Sequence, residues 1–318
     1  MKLNKITIGT RGSILALAQA EKVKEMLTEK YEKLRKKDNF DGIKDLDKDS
    51  PLEIELKVII TKGDKDLRDF VKMKGTTQKE LFVKEIEWEM LDNKIDLAVH
   101  SLKDMPQKTP KGLINACFPV REDNRDVLVS KNGKKLNELP ENAVIGTGSI
   151  RREKELLSLR NNLKIKAIRG NIHTRLKKLD EGEYDAIVLA AAGLKRTGLE
   201  NRITEYFDKN FFMPAPAQGI LCIQCRENDE KIQKLLKIIN DDEVTAMCEA
   251  EREFSKIFDG GCHTPIGCSS IIEGNVLKLS GMYNDNGNRI FKEVTGNKKN
   301  PKEIAKKLSE MIKKEIKK

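Results

Sequence analysis

Apolar and polar positions follow two periods along the chain, and the switches between them lay out its elements. "KITIGT" (5–10) alternates as a strand. Ser13 to Tyr31 has helical spacing, with an apolar stripe at Ile14, Leu17, Ala18, Val23 and Leu27. A strand follows at 54–61, a helix at 79–92 and a strand at 95–101. The pattern then restarts, with strands at 126–130, 143–147, 163–168 and 185–190 and helices that begin at 149 and 172. Strand–helix–strand alternation, run twice, predicts two α/β domains with mostly parallel sheets and helices on both faces. Pro119 and "MPAPAQG" (213–219) mark the crossings between them, because proline fits neither a central strand nor a helix interior. "ILCIQC" reads as one further strand. From about 241 the order changes. A helix over 243–258, three runs that alternate as antiparallel strands and a lysine-rich closing helix predict a small α+β unit. The stretch 35–51 is polar and aperiodic and reads as a mobile surface loop.

The length of 318 residues allows two or three domains, and 38% hydrophobic residues supply lean cores. The start, "MKLNKITIGTRGS", lacks an apolar stretch of signal-peptide length, and no run approaches the roughly 20 apolar residues of a membrane span. The six cysteines lack the spacing of a disulfide scaffold. The expectation is a cytoplasmic protein without a membrane partner. "CIQC" (222–225) lies in an apolar strand-like run, which fits buried structural thiols better than a redox pair. Trp88 reads as core.

Charge narrows the ligand. The net charge of +10 favours an anionic partner. Of the 15 arginines, Arg151, Arg152, Arg160, Arg169, Arg175 and Arg196 crowd into one segment, where a planar fork can grip carboxylates or phosphates. That segment holds only Tyr184 among aromatics, so the stripe of a nucleic-acid binder is missing and a small acidic ligand is expected. Four segments sit where open α/β sheets bind ligands, beyond the carboxyl ends of strands: "GTRGS" (9–13), "HSLKDMP" (100–106), "GTGSIRR" (146–152) and "RGNIHTR" (169–175). Asp104 is the lone carboxylate in this basic set. His100 and His173 lie within these segments and read as cleft-wall or packing residues.

"GGCHTPIG" (260–267) presents Cys262 on a loop opened by two glycines. By residues alone it reads as a nucleophile, a metal ligand, half a disulfide or an attachment point. Cys262, His263 and Cys268 lack an evident fourth ligand for zinc, and adjacent Cys262 and His263 make a poor catalytic pair.

"VHSLKDMP", "GTGSIRR", "RGNIHTRLKKLD", "AAAGLKRTGLE", "PAPAQG" and "GGCHTPIG" resemble, in order, the signature segments of the porphobilinogen deaminase (hydroxymethylbilane synthase) family. With "IGTRGSILALAQA" the resemblance covers nearly the whole chain. It implies a three-domain fold: two periplasmic-binding-protein-like doubly wound α/β domains, 1–118 with 219–238 and 126–213, plus a small α+β C-terminal domain, 241–318, with an antiparallel sheet. It implies a transferase of haem and tetrapyrrole biosynthesis that condenses four porphobilinogen molecules head to tail, releases ammonia and yields hydroxymethylbilane. The primer would be one dipyrromethane per chain, bound by a thioether at Cys262. Arg11, Ser13, Lys79, Lys103, Thr147, Ser149, Arg151, Arg152, Arg169, Arg175, Arg196 and Gln218 match positions that hold substrate and cofactor carboxylates. Asp104 matches the catalytic aspartate, which stabilises the positive pyrrole nitrogens of an azafulvene-like intermediate. No metal or nucleic acid is implied, and the family is usually monomeric. Two features depart from the pattern. "TTQKELF" (76–82) stands where the family usually has "GGKGLF", and the 35–51 insertion is longer than usual.

A non-catalytic anion-binding protein would explain the arginines but leave Cys262 and the last domain idle. A thiol hydrolase built on Cys262 would leave the arginines unexplained.

Overall fold

The computed structural model describes residues 5–36, 50–61, 82–258, 264–285 and 288–316. In chain order the strands are β1 (Lys5–Thr10), β2 (Glu53–Val58), β3 (Leu97–Ser101), β4 (Leu113–Cys117), β5 (Asp126–Ser130), β6 (Val144–Gly146), β7 (Lys164–Lys166), β8 (Ala186–Ala190), β9 (Glu205–Tyr206), β10 (Leu221–Arg226), β11 (Ile266–Glu273), β12 (Val276–Asp285) and β13 (Asn288–Asn297). The α-helices are α1 (Ile14–Lys36), α2 (Lys84–Leu91), α3 (Ile150–Leu159), α4 (Ile172–Asp180), α5 (Ala191–Arg196), α6 (Glu230–Leu236), α7 (Asp242–Ile257) and α8 (Pro301–Ile316). The chain divides into two compact units, Met1–Val120 with Leu221–Asp242 and Arg121–Ile220 with Glu243–Lys318. Of the three breaks between them, those after Val120 and Ile220 lie beside Pro119 and the 213–219 stretch, and the third follows Asp242.

The first unit is built on a five-stranded sheet of order β2-β1-β3-β10-β4. β2, β1 and β3 are parallel, while β10 runs antiparallel to both of its neighbours. Period-two alternation in β3 sends Leu97 and Val99 to one face and Ala98 and His100 to the other. The Leu97 face packs with Ile6, Ile8, Val23, Leu27, Tyr31, Ile232 and Leu235, which brings α1 and α6 against it. The Ala98 face packs with Ile59, Ile86, Met90 and Ile95 and receives α2. The sheet is therefore buried on both sides, as its apolar strands demand.

The second unit repeats this plan with the order β7-β6-β8-β5-β9. Again three strands are parallel and one, β5, is reversed against both neighbours. Leu128, Ile145, Leu156, Val188 and Phe212 form the core on the α3 side, and Val127, Ile168, Leu176, Leu179 and Ile187 on the other. The same unit carries the antiparallel sheet β11-β12-β13, whose core joins Phe254 of α7 to Leu279, Ile304 and Leu308.

Buried carboxylates tie the crossing segments into this second unit. Glu251 on α7 receives Arg121 at 2.7 and 3.0 Å, the Ala217 amide at 2.6 Å and Ser270 at 2.6 and 2.8 Å. Glu155 on α3 accepts the Met213 amide and receives Arg289 of β13 at 2.8 Å. Gly219 has φ +87°, a conformation that disfavours a side chain, and an added Cβ would overlap the Glu122 carbonyl.

Two expectations of burial are corrected. Trp88 is 53% exposed. Its helix turns Ile86 and Met90 inward, and Trp88, two positions from each, lies on the opposite side at about 100° per residue. Ile14 is 52% exposed, because it lies in the first turn of α1 ahead of the buried stripe. That stripe runs through Gln19, Ala20, Val23, Leu27 and Tyr31. The short β4, β9 and α5 have no counterpart in the sequence reading. The 35–51 stretch begins as the last helical residues of α1 and ends beside β2. Its centre, residues 37–49, lies outside the described residues.

Candidate active site

On the first unit, the carboxyl ends of the neighbouring strands β1 and β3 carry the candidate chemistry. β1 stops at Thr10, and Ser13 caps α1, its Oγ accepting the Ala16 amide at 3.2 Å. Thr10 Oγ1 donates to the Ala16 carbonyl at 3.0 Å, which pins the intervening Arg11–Gly12 turn. β3 stops at Ser101 and continues as a 3-10 turn, Leu102–Asp104. Leu102 is buried and anchors the turn, so Asp104 stands exposed beside it. Lys103, half-buried, belongs to the same turn.

Between these ends lies a cavity of about 100 Å³ lined by Arg11, Ser13, Gln19, Phe82, His100, Ser101 and Asp104, with Leu15, Ile86, Val99 and Met105 among its apolar walls. The Arg11 guanidinium sits 4.2 Å from the Phe82 ring centroid, a cation–π distance. Gln19 donates to Ser101 Oγ at 2.8 Å. Ser13 and Ser101 each accept a hydrogen bond from the protein through Oγ, which leaves the hydroxyl protons to donate. With Arg11, the wall is rich in donors. The His100 imidazole is buried, and this draws its pKa down to about 4; Gln224 works against the shift and Arg11 adds to it. The ring is neutral at neutral pH.

On the second unit, the ends of β6 and β7 carry a second group. Thr147 is buried, and its Oγ1 accepts the Ser149 amide at 3.2 Å. Ser149 sits at the N-cap of α3 and makes no side-chain cap, leaving its hydroxyl at the positive end of the helix. After β7, Arg169 is exposed, and Gly170 takes φ +110° before Asn171 caps α4 through the Thr174 amide at 2.9 Å. Arg175 Nε donates to the Gly170 carbonyl at 2.8 Å. His173 is half-buried.

Arg151 and Arg152 turn inward on α3. Arg152 donates through Nε and Nη2 to Asp126 Oδ1 at 3.1 and 2.7 Å and through Nη1 to the Val188 carbonyl at 3.0 Å. Arg151 pairs with Asp126 Oδ2 at 2.7 Å and donates to the Met213 carbonyl at 2.6 Å. Gln218 joins them, its Nε2 lying 2.9 Å from Asp126 Oδ1 and 2.8 Å from the Asn124 carbonyl. Burial alone would raise the Asp126 pKa, but the two guanidinium groups outweigh it and hold the carboxyl well below the usual range. The cluster keeps one net positive charge. Arg196 donates to the Gly219 carbonyl at 2.6 Å. Burial, partly offset by Glu122, brings its pKa down to about 10, so it stays charged at neutral pH.

The structure thus brings Arg11, Ser13 and Asp104 together in one unit and Arg151, Arg152 and Gln218 together in the other. Lys79, Cys262 and His263 lie outside the described residues. The segments that flank Cys262 are described: α7 leads to it, and beyond it the Cys268 amide donates to the Pro214 carbonyl at 3.0 Å. Cys222, Cys225 and Cys268 are all buried. Burial raises the Cys225 pKa to about 12 and that of Cys268 well above its ordinary value, as inert structural thiols require. Among the described residues no group of His, Cys, Asp and Glu could hold a metal ion. Sequence reasoning missed Asp126 and Gln19. The only signal for Gln19 was a polar residue beside the apolar stripe of α1. Asp126 opened a strand and gave none.

The family model described as "Porphobilinogen deaminase, dipyromethane cofactor binding domain" matches residues 6–234, and the C-terminal domain model of the same family matches residues 245–314. A porphobilinogen deaminase of Fusobacterium nucleatum is 52% identical over 316 residues, covering 99% of both chains. Those of Oceanobacillus iheyensis and Paenibacillus macerans are 43% and 45% identical, covering 98% and 84% of this chain and 94% and 78% of their own. Among solved structures, the periplasmic VFT2 domain of Bordetella pertussis BvgS aligns with a TM-score of 0.39 and 13% identity over 77% of this chain and 92% of that one. A periplasmic binding protein of Salmonella typhimurium aligns with a TM-score of 0.37 and 14% identity over 76% and 94%. With two family models spanning the chain in order and curated relatives of up to 52% identity over almost its full length, the chain belongs to the porphobilinogen deaminase family.

Proposed function

We propose that the chain condenses four porphobilinogen molecules head to tail, with loss of four ammonia, to give hydroxymethylbilane. The observation that carries this reading is the cavity of the first unit, where Arg11 and two donor hydroxyls face the single exposed carboxylate of Asp104. Porphobilinogen presents the complementary set: an acetate, a propionate, a pyrrole N–H and an aminomethyl group. Arg11, with the Ser13 and Ser101 hydroxyls, suits the carboxylates, by charge-assisted and neutral hydrogen bonds. Asp104 suits the N–H side. When ammonia leaves the aminomethyl carbon, positive charge develops on the pyrrole, and a carboxylate fixed by the 3-10 turn stabilises it without having to reorganise.

The primer is a dipyrromethane held at Cys262, and when bound it supplies the free pyrrole carbon on which the chain is extended. The residues fit such a polycarboxylate. The donor-rich wall of the first unit and the uncapped Ser149 hydroxyl, exposed Arg169 and Arg175 of the second are suited to its acidic arms. Lys79, Lys103, Thr147 and Arg196 are assigned to the same task, and Arg151, Arg152 and Gln218 act there through the net positive charge of their cluster on Asp126. Residues 241–318 form the third domain. No described helix is long and apolar enough to cross a membrane. By resemblance to the family, the working form assigned here is a cytoplasmic monomer.

The test joins mass to product. Purified protein should exceed its sequence mass by two pyrrole units that thiol reductant does not remove, and it should convert porphobilinogen to hydroxymethylbilane. A bare sequence mass together with no turnover would overturn the reading.

A further inference from the structure

Gln19 is a polar residue within the buried stripe of α1, 4% exposed beside Ala20, Val23 and Leu27. A buried amide costs free energy unless it is hydrogen-bonded. Its Nε2 reaches across to β3 and donates to Ser101 Oγ at 2.8 Å. Ser101 is half-buried and lines the cavity with Arg11 and Asp104. It also stands at the N-cap of the 3-10 turn that carries Asp104. A serine in that position commonly turns its oxygen back onto a backbone N–H of the turn. Here it makes no such cap. The oxygen accepts from Gln19 instead, and among the described residues no acceptor takes the hydroxyl proton. A hydroxyl has one proton to give. With an N–H fixed on one side of the oxygen, that proton is turned to the other, where the cavity lies.

We infer that Gln19 is a positioning residue of this site, whose hydrogen bond to Ser101 Oγ fixes that serine as a donor toward a carboxylate arm of the bound pyrrole. The inference rests on the functional reading above and deepens it. A serine hydroxyl left to itself rotates and serves donors and acceptors alike. Held by a buried amide, it presents its proton to the ligand. An ionised carboxylate then gains a donor beside Arg11, whereas an ester, uncharged and a weaker acceptor, gains far less. The amide of Gln19 does not titrate, so this polarity holds wherever the carboxylate is ionised. Gln19→Glu, close in shape, reverses it. A carboxylate at that point only accepts, so Ser101 donates to the protein and its proton is lost to the ligand.

The experiment uses the holoprotein and a probe that cannot react, a pyrrole with one acetate and one propionate arm but no aminomethyl group. Binding is measured by calorimetry. Ser101→Ala should weaken the probe about ten-fold and leave its diester within about two-fold. With Ser101 in place, Gln19→Met, which keeps the length but has no donor, should weaken the probe about five-fold, and Gln19→Glu about thirty-fold. Part of the Gln19→Glu loss is charge repulsion, and that part survives in Ser101→Ala. Either Gln19 change should therefore cost at most about three-fold once it is combined with Ser101→Ala, and the shortfall measures the coupling. A purely structural tie between α1 and β3 would move the urea midpoints but leave the affinity losses additive. Additive losses, or Gln19→Glu binding the probe as wild type does, overturn the inference. So does Ser101→Ala binding as wild type does, an arm that needs no folded Gln19 variant. Turnover of porphobilinogen by wild type, measured in parallel, reports on the underlying site. Its absence fails the functional reading, whereas normal turnover beside additive losses removes Gln19 alone.

Discussion

Arg152 lays Nε and Nη2 on one oxygen of Asp126, at 3.1 and 2.7 Å, and both side chains are buried. Arg151 takes the other oxygen at 2.7 Å. Two arginines that look from the sequence like free anion clamps therefore share an internal counter-ion. They do structural work as well as setting the charge of the strand ends.

Arg152→Leu should consequently destabilise the protein by about 3–5 kcal/mol, because removing one partner leaves a buried carboxylate undercompensated. The double change Arg152→Leu with Asp126→Leu should cost less than the sum of the single changes, since it removes both sides of the pair. Urea unfolding midpoints of the four proteins decide it. Additive losses would mean that the pair carries no coupling.

The same pair predicts acid lability. The folded pKa of Asp126 lies below its unfolded value of about 3.9, so its contribution is complete above that value and is lost as pH falls toward the folded pKa. Stability of wild type relative to Asp126→Asn should be flat from pH 7 to about pH 5 and shrink below about pH 4. A difference that instead widened on acidification would contradict the assigned state.

Asp104 differs from Asp126 in being exposed on its turn, with little fold to support. Asp104→Asn should leave the thermal midpoint unchanged within about 1 °C and lower kcat by at least about 10²–10³, the range for losing one preorganised electrostatic group. Circular dichroism melts and single-turnover kinetics check both halves. A turnover within a few-fold of wild type would leave Asp104 without the role.

The cysteines should separate by reactivity and by mass. Cys248 and Cys225 have pKa values raised to about 12 by burial, and Cys268 is fully buried. Iodoacetamide at pH 7.5 should spare these three until the protein is unfolded. Cys262→Ser should abolish the mass excess and sustained synthesis, whereas Cys268→Ser should keep the excess. Chelator should leave wild-type activity intact. Activity that vanished with chelator and returned with zinc would restore a metal role to the 262–268 loop.

Much of the fold was legible because the relevant signals are local. β1 and β5 begin and end where the alternation does, and two of the three breaks between the units lie beside proline-bearing stretches. The strand-end motifs at Arg11, Asp104 and Ser149 lie at the carboxyl ends of their strands, since a turn residue and a helix cap are readable one segment at a time. Short elements such as β9 and α5 escaped because two to six residues carry too little period to distinguish.

What the sequence alone determined was the alternation of strands and helices, the places where the chain crosses, the basic character of its strand ends and, through ordered motifs, its family. The tertiary structure decided the neighbours. Period-two patterning says which face a side chain occupies but not which strand lies beside it. The chain alone therefore did not reveal that β10 inserts, reversed, between β3 and β4, bringing Gln224 close to His100. Nor does charge in a sequence carry its partner. Asp126 lies 25 residues before Arg151 and is unremarkable in a strand, yet burial makes an unpaired guanidinium or carboxylate too costly, so folding had to bring them together.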